Sequence, residues 1–367
     1  MWLRVDPEGA EVKLLWGNDN GPHKAYFVGK GTFDYYCQQV RDDLAALVEI
    51  EIDQRDGVRA EALRKLARSG ADLHYLLFED VSIKDAAAIV RADMNARYRA
   101  RTARYPDGDK RLRIIVHPSI HVPWALVYDG NADAIGEMAD RLEDFGAFWG
   151  QKYSLSSTST GYQQLPCDLE RKLDASKLLS LMHKDAALAA YRGFSDKLRS
   201  DYEVLMAYPV GVANNKIDCE KLIAKAVPND TIFHFFGHQN NGVLDLGGAQ
   251  TIDVNQFKKL LDRLASQQGE SQPYSLVLLN ACETADGQMD HSFTNAADRP
   301  GICGAISTEA VVPRDYAAKF AISFLTQLLC KGRSVGESMS TLRHDEALWP
   351  LSLVYGCYAE PDYRISA

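Results

Sequence analysis

The chain has 367 residues, enough for two medium domains or one large one, and its 46% apolar content can fill a sizeable core. Its formal charge of -9 argues against broad affinity for nucleic acid or an anionic membrane. No apolar run approaches the ~18 residues a bilayer demands, and the start M-W-L-R-V-D-P-E lacks the basic-then-apolar order of a secretory leader. The seven cysteines, at 37, 167, 219, 282, 303, 330 and 357, are scattered and odd in number, with no C-x-x-C pair. That pattern fits a reducing cytoplasm better than a disulfide framework or a structural zinc site.

In chain order, V-K-L-L-W-G and K-A-Y-F-V-G read as two short strands joined by the loop signal N-D-N-G-P-H. From Thr32 to Leu47, Phe33, Tyr36, Val40, Leu44 and Leu47 follow helical spacing. A-D-L-H-Y-L-L-F reads as a buried strand or a short helix, which periodicity does not separate over so short a run. Ser82 opens a long Ala-rich helix that ends Arg-rich, with eight Lys or Arg against three Asp from Arg91 to Arg113. Two readings stay open there: a solvated face, or a docking surface for an acidic protein or RNA, the latter without the aromatic interleaving of an RNA module. L-R-I-I-V is a strand, and H-P-S-I-H-V-P-W-A-L-V-Y-D-G follows with a break at Pro123-Trp124. Ser154 to Gly161 reads as a loop-rich patch, and Asp168 to Lys197 as helical.

After Asp201 strands and helices alternate. D-Y-E-V-L-M-A-Y-P-V, T-I-F-H-F-F, Y-S-L-V-L-L-N, G-I-C-G-A-I-S-T and L-S-L-V-Y-G-C-Y read as strands. D-C-E-K-L-I-A-K-A-V, I-D-V-N-Q-F-K-K-L-L-D-R-L and the segment opened by Pro313 read as helices. Such alternation predicts a mostly parallel sheet covered on both faces, with ligand sites at the carboxyl ends of its strands.

Two residues stand at such ends. His238 follows I-F-H-F-F-G, where Gly237 relieves crowding as the strand stops, while His234 lies within the strand as a structural histidine. Cys282 lies two residues past S-L-V-L-L-N. A thiol and an imidazole on neighbouring strand tips form a nucleophile and its base: imidazole titrates near ~6.5 and a thiol near ~8.5, so the ring can draw the thiol proton. A buried small Cys is the plainer reading of the residue on its own. Cys303, Cys330 and Cys357 fall on predicted strands or a helix without a nearby base. H-F-F-G-H lacks the Glu and helix of a zinc-peptidase motif, and no phosphate-cradling glycine motif occurs, so neither a metal nor a cofactor is expected.

F-H-F-F-G-H at 233 to 238, L-L-N-A-C-E-T-A at 278 to 285, G-I-C-G-A-I-S-T-E at 301 to 309, the following apolar helix and I-H-V-P-W-A-L-V-Y-D-G upstream occur in an order and spacing that resemble the CHAT-domain branch of the caspase/separase-type cysteine proteases, over roughly residues 110 to 360. The resemblance implies an α/β fold with a caspase-like, mostly parallel sheet flanked by helices. It divides the chain into a small N-terminal α/β region (1-105) that either regulates or simply stabilises the core, a pseudo-caspase half (106-200) and a catalytic half (201-367). It implies a dyad of His238 and Cys282, with the backbone N–H groups of Gln239 and Cys282 as oxyanion donors. Beside that resemblance, Asp286 reads either as a pocket acid that would pair with a basic substrate side chain or as a solvated loop acid, and Glu309 is a second candidate for the pairing. The implied activity is cytoplasmic cleavage of a specific protein partner, as in bacterial defence, where relatives act on gasdermins or work with RNA-guided complexes. No membrane insertion is implied, and the sequence leaves the oligomeric state open. Gln239 and Ala125 stand where the family carries a glycine and an acid, and no 34-residue repeat precedes the core. The alternative these departures raise is an inactive caspase-like scaffold.

Overall fold

The computed structural model describes residues 2–18, 21–53, 56–79, 92, 111–117, 119–159, 170–172, 178–182, 187, 190–207, 210–225, 232–240, 242–247, 250–266, 275–281, 292–299 and 301–366. The basic stretch after Arg91 lies outside them apart from Ala92 and the residues from Arg111 onward. The chain forms two compact units, Met1–Thr160 and Gly161–Ala367, and its architecture is mixed α/β in both.

The first unit opens with an antiparallel meander, β1 (Trp2–Glu8), β2 (Glu11–Asn18) and β3 (Gly21–Gly29). Helices α1 (Lys30–Asp53) and α2 (Asp56–Phe78) pack together. Phe33, Val40, Leu44 and Leu47 form the buried stripe of α1, as their spacing requires. Ala71 to Phe78 is the end of α2 and not a strand. Leu73, Leu76 and Leu77 are buried while Tyr75 is half exposed, which is a helical stripe and not a strand's alternation. β4 (Arg111–Val116) and β5 (Ser154–Ser159) complete the sheet in the order β3-β2-β1-β4-β5, with β4 parallel to β1 and β5 parallel to β4.

β5 corrects the expectation of a loop over Ser154 to Gly161. Its hydroxyls misled the reading: Leu155, Ser156 and Ser157 are all buried, and small Ser and Thr side chains fit beside a paired backbone without needing an apolar run. The Pro123-Trp124 segment makes a short 3₁₀ turn, Trp124–Leu126. Trp124 is buried and stacks on Trp149 of the short helix α3 (Trp149–Lys152), with ring centroids 6.2 Å apart. Trp149 in turn meets Phe78 at 5.4 Å, and Phe78 meets Trp16 at 5.3 Å. This aromatic chain is the heart of the unit, and the Trp16 indole N–H donates to the Tyr26 hydroxyl, which donates to the Leu77 carbonyl.

The second unit is built on a six-stranded sheet, in the order β15-β14-β13-β9-β7-β8. Its members are β7 (Leu178–Met182), β8 (Val210–Ala213), β9 (Ile232–Phe236), β13 (Ser275–Asn280), β14 (Ile302–Thr308) and β15 (Tyr355–Ala359). All pairings are parallel except that of β14 with the edge strand β15. β6 (Glu170–Lys172) pairs separately with β16 (Arg364–Ser366). β9 and β13 are buried at every position, as strands covered on both faces must be. Phe233, Phe235, Val277 and Leu279 pack in one cluster with Ile223 of α5 (Lys216–Lys225) and with Phe257, Leu260 and Leu261 of α6 (Val254–Ser266). By alternation His234, Phe236, Leu278 and Asn280 face the opposite side, where α8 (Arg314–Leu325) supplies a carbonyl to Asn280.

Three further expectations are corrected. Asp168 to Lys197 contains two strands, β6 and β7, where a helix was predicted. D-Y-E-V-L-M-A belongs to helix α4 (Asp196–Ala207). Leu198, Tyr202 and Leu205 turn inward at helical spacing, while Val204, which a buried strand would have covered, is 49% exposed. L-S-L-V is a 3₁₀ turn, Leu351–Val354, so the last sheet strand begins only at Tyr355.

Candidate functional site

The expected site lies at the carboxyl edge of the six-stranded sheet. β9 and β13 are parallel neighbours in a register that pairs His234 with Leu278 and Phe236 with Asn280, so they end level with each other. The Gly237 amide donates to the Asn280 carbonyl at 3.4 Å. There the chain leaves the large sheet and enters a small antiparallel one, formed by β10 (His238–Asn240), β11 (Val243–Asp245) and β12 (Thr251–Asp253). Gly237 makes this exit possible. A Cβ at that position would lie 2.8 Å from the Asp245 carbonyl oxygen and 2.9 Å from the Phe235 ring. Sequence reading saw a polar loop here; strands of three residues are too short to leave a periodic signature.

His238 is the first residue of β10, exposed, with its backbone opposite Asp245. Gln239 follows, half-buried and opposite Leu244. His234 is buried in the middle of β9, and burial pushes its ring down to about 4, so it is neutral at physiological pH. The two histidines therefore occupy different sheets and different environments. Cys282 and Asp286 lie outside the described residues, which resume at Ser292. Glu309 follows the end of β14. It is buried, its amide donates to the Val354 carbonyl, and its carboxylate accepts from the Tyr358 hydroxyl.

The other described cysteines divide by burial. Cys37, Cys219, Cys303 and Cys357 are buried and Cys330 is exposed. Burial raises the Cys219 thiol to about 12 and the Cys357 thiol to about 11, so neither is a nucleophile at neutral pH. Among the described residues no cluster of His, Cys, Asp and Glu is set to hold a metal, and no helix is long and apolar enough to cross a membrane.

Around the tip of β13 the structure assembles residues that sequence reasoning passed over. Asn280 is buried; its amide nitrogen donates to the Ala317 carbonyl of α8 at 2.7 Å, and its amide oxygen accepts from the Tyr355 hydroxyl at 2.6 Å. The Thr308 hydroxyl donates to the carbonyl of Ala281. Thr294, on the short helix α7 (Phe293–Ala296), meets the Ser307 hydroxyl at 2.8 Å. The one signal in the sequence was the polar Asn closing an otherwise apolar strand.

No family model matches the chain, and no curated protein matches it. Solved structures do. In one structure of the Saccharomyces cerevisiae separase–securin complex, 98% of this chain aligns with 30% of the matched chain, at a TM-score of 0.52 and 10% identity. The chain is distantly similar in fold to separase. A second structure of that complex aligns with 100% of this chain and 30% of its own, at a TM-score of 0.51 and 11% identity. The chain thus spans about 30% of the length of the separase–securin chains it matches, and at such identities the similarity is one of fold alone.

Proposed function

We propose that the protein is a cysteine endopeptidase that cleaves a specific protein partner with Cys282 as nucleophile and His238 as its base. The observation that carries the reading is the level ending of β9 and β13: exposed His238 begins beside the tip of the strand from which the chain runs on to position 282. Neighbouring strands lie about 4.8 Å apart, so residues leaving two adjacent tips fall within reach of one substrate. The motif resemblance over roughly residues 110 to 360 and the separase-like fold support it.

In this mechanism His238 takes the thiol proton and the sulfur adds to the scissile carbonyl carbon, whose π electrons move to oxygen. The backbone N–H groups of Gln239 and Cys282 hold the oxyanion. Collapse expels the amine, which takes the proton from the imidazolium and leaves a thioester. Water, deprotonated by His238, attacks the thioester. The thiol leaves reprotonated, with the substrate's new carboxylate as product. The chemistry draws on these side chains and water alone.

Asp286 is the acid we assign to a basic residue before the cut. Glu309, whose carboxylate accepts from the Tyr358 hydroxyl, is the second acid we assign to that role. The setting is a reducing cytoplasm, which preserves the thiol. The first substrate to try is a pore-forming protein of gasdermin type encoded beside this one; an RNA-guided complex would enter as the activating partner. Wild type and Cys282→Ala are incubated with that neighbour and products read by mass spectrometry. Loss of cutting by at least about a hundredfold in Cys282→Ala supports the reading. Equal behaviour of the two proteins, with stable association, replaces it by the scaffold.

A further inference from the structure

The polar network behind the β13 tip is costly to bury unless every member finds a partner. It also touches both strands that flank the proposed dyad. Asn280 closes β13, and its backbone carbonyl accepts from Gly237, the residue before His238. Its side chain is held on one side by Tyr355 and on the other by the Ala317 carbonyl. Tyr355 is itself fixed three ways. Its ring lies flat on Phe320, with centroids 3.5 Å apart and planes 4° apart. Its carbonyl accepts from the fully buried Arg343 at 2.8 Å. Its backbone is the cross-strand partner of Thr308, the residue that grips the Ala281 carbonyl. Two adjacent residues of β13's end are therefore held from one rung of the β14–β15 ladder.

We propose that Tyr355, through Asn280, is a positioning residue that fixes the course on which the chain leaves β13 toward Cys282. Thr308 acts beside it on Ala281. This rests on the cysteine peptidase reading for its catalytic consequence, but not for its effect on the thiol. A leucine in place of Asn280 would fill a buried strand end at less desolvation cost. The side-chain amide instead ties the end of β13 to Tyr355 and α8, while the same residue's backbone carbonyl holds Gly237, so that both strand tips share a single rigid support.

The test compares wild type, Tyr355→Phe, Thr308→Val and Ile223→Val. The first two substitutions delete a single hydroxyl and keep the shape of the side chain. Ile223→Val removes a methyl from the apolar cluster on the other face of the sheet and serves as a stability-matched control. Alkylation of Cys282 by iodoacetamide is followed at neutral pH on its own peptide by mass spectrometry, so that exposed Cys330 does not interfere. Tyr355→Phe slows alkylation about tenfold, the scale of one net hydrogen bond to a buried neutral partner. Thr308→Val slows it in the same direction, and Ile223→Val leaves it at the wild-type rate. With a cleavable partner in hand, kcat falls by the same factor at unchanged KM.

Wild-type alkylation in both hydroxyl-deleted variants overturns the proposal, as does a slowing that Ile223→Val reproduces in proportion to its loss of Tm. Should wild type cut no partner while alkylation still slows in Tyr355→Phe, the positioning role stands and the peptidase reading falls.

Discussion

Acid should loosen the second unit through one ring. His234 is buried at the centre of β9, and burial holds its imidazole at about 4, against about 6.5 for a free histidine. The folded state therefore binds fewer protons than the unfolded chain between those two values. Stability is full above the unfolded value and drains away as pH falls toward the folded one. The whole shift corresponds to about 3 kcal/mol, and about 2 kcal/mol of it is lost on going from about pH 7 to about pH 5. That is a large share of the ~5–15 kcal/mol that holds a typical domain together. Hydrogen exchange on peptides from β9 and β13, corrected for intrinsic rates, reads the opening energy of this sheet directly. In His234→Leu the carboxylates titrate as before but the ring is gone, so the pH dependence flattens by that amount. An equally steep fall in His234→Leu would show that the ring does not carry the acid sensitivity.

Two further substitutions probe the frame of the site. Gly237→Ala forces a Cβ against the Asp245 carbonyl and the Phe235 ring; it lowers stability by about 1–3 kcal/mol and, by moving His238, lowers kcat for any cleaved partner. Urea denaturation and single-turnover cleavage check the two effects, and a wild-type midpoint would show that the exit from β9 has room to spare. Asp253→Ala removes the carboxylate that accepts from the Gln256 amide at 2.7 Å at the head of α6, in a reciprocal pair with the Gln256 side chain at 3.2 Å. It costs about 1 kcal/mol, read as a fall in Tm, while alkylation of Cys282 stays at the wild-type rate.

The central strands were legible because each is a short, mainly apolar run, broken in β9 by His234 alone and in β13 by polar residues only at its ends, and being buried on both faces leaves such a strand no alternative. Phe233, Phe235, Val277 and Leu279 fill one face of the sheet, and Phe236 and Leu278 are buried on the other. The helix α6 was legible for the opposite reason, since Phe257, Leu260 and Leu261 recur on one stripe. Ser154–Ser159 and Leu178–Met182 were missed because their strand character comes from pairing with β4 and with β8 and β9, which no local window contains. Val204 drew a helix into a strand reading by being apolar yet exposed. At the site, the place of His238 at a strand tip could be read from Gly237 and the polar turn after it. The support under β13 could not. Asn280 and Tyr355 stand 75 positions apart, and a hydrogen bond over that separation leaves no mark on either neighbourhood.

The aromatic chain Trp16–Phe78–Trp149–Trp124 has an optical consequence. Of the five tryptophans, Trp2, Trp16, Trp124 and Trp149 belong to the first compact unit and Trp349 alone to the second. Intrinsic emission, excited at its red edge to silence tyrosine, is thus weighted toward one half of the polypeptide. Circular dichroism sums both halves, and a gap between the two denaturation curves would mean that the units melt one at a time.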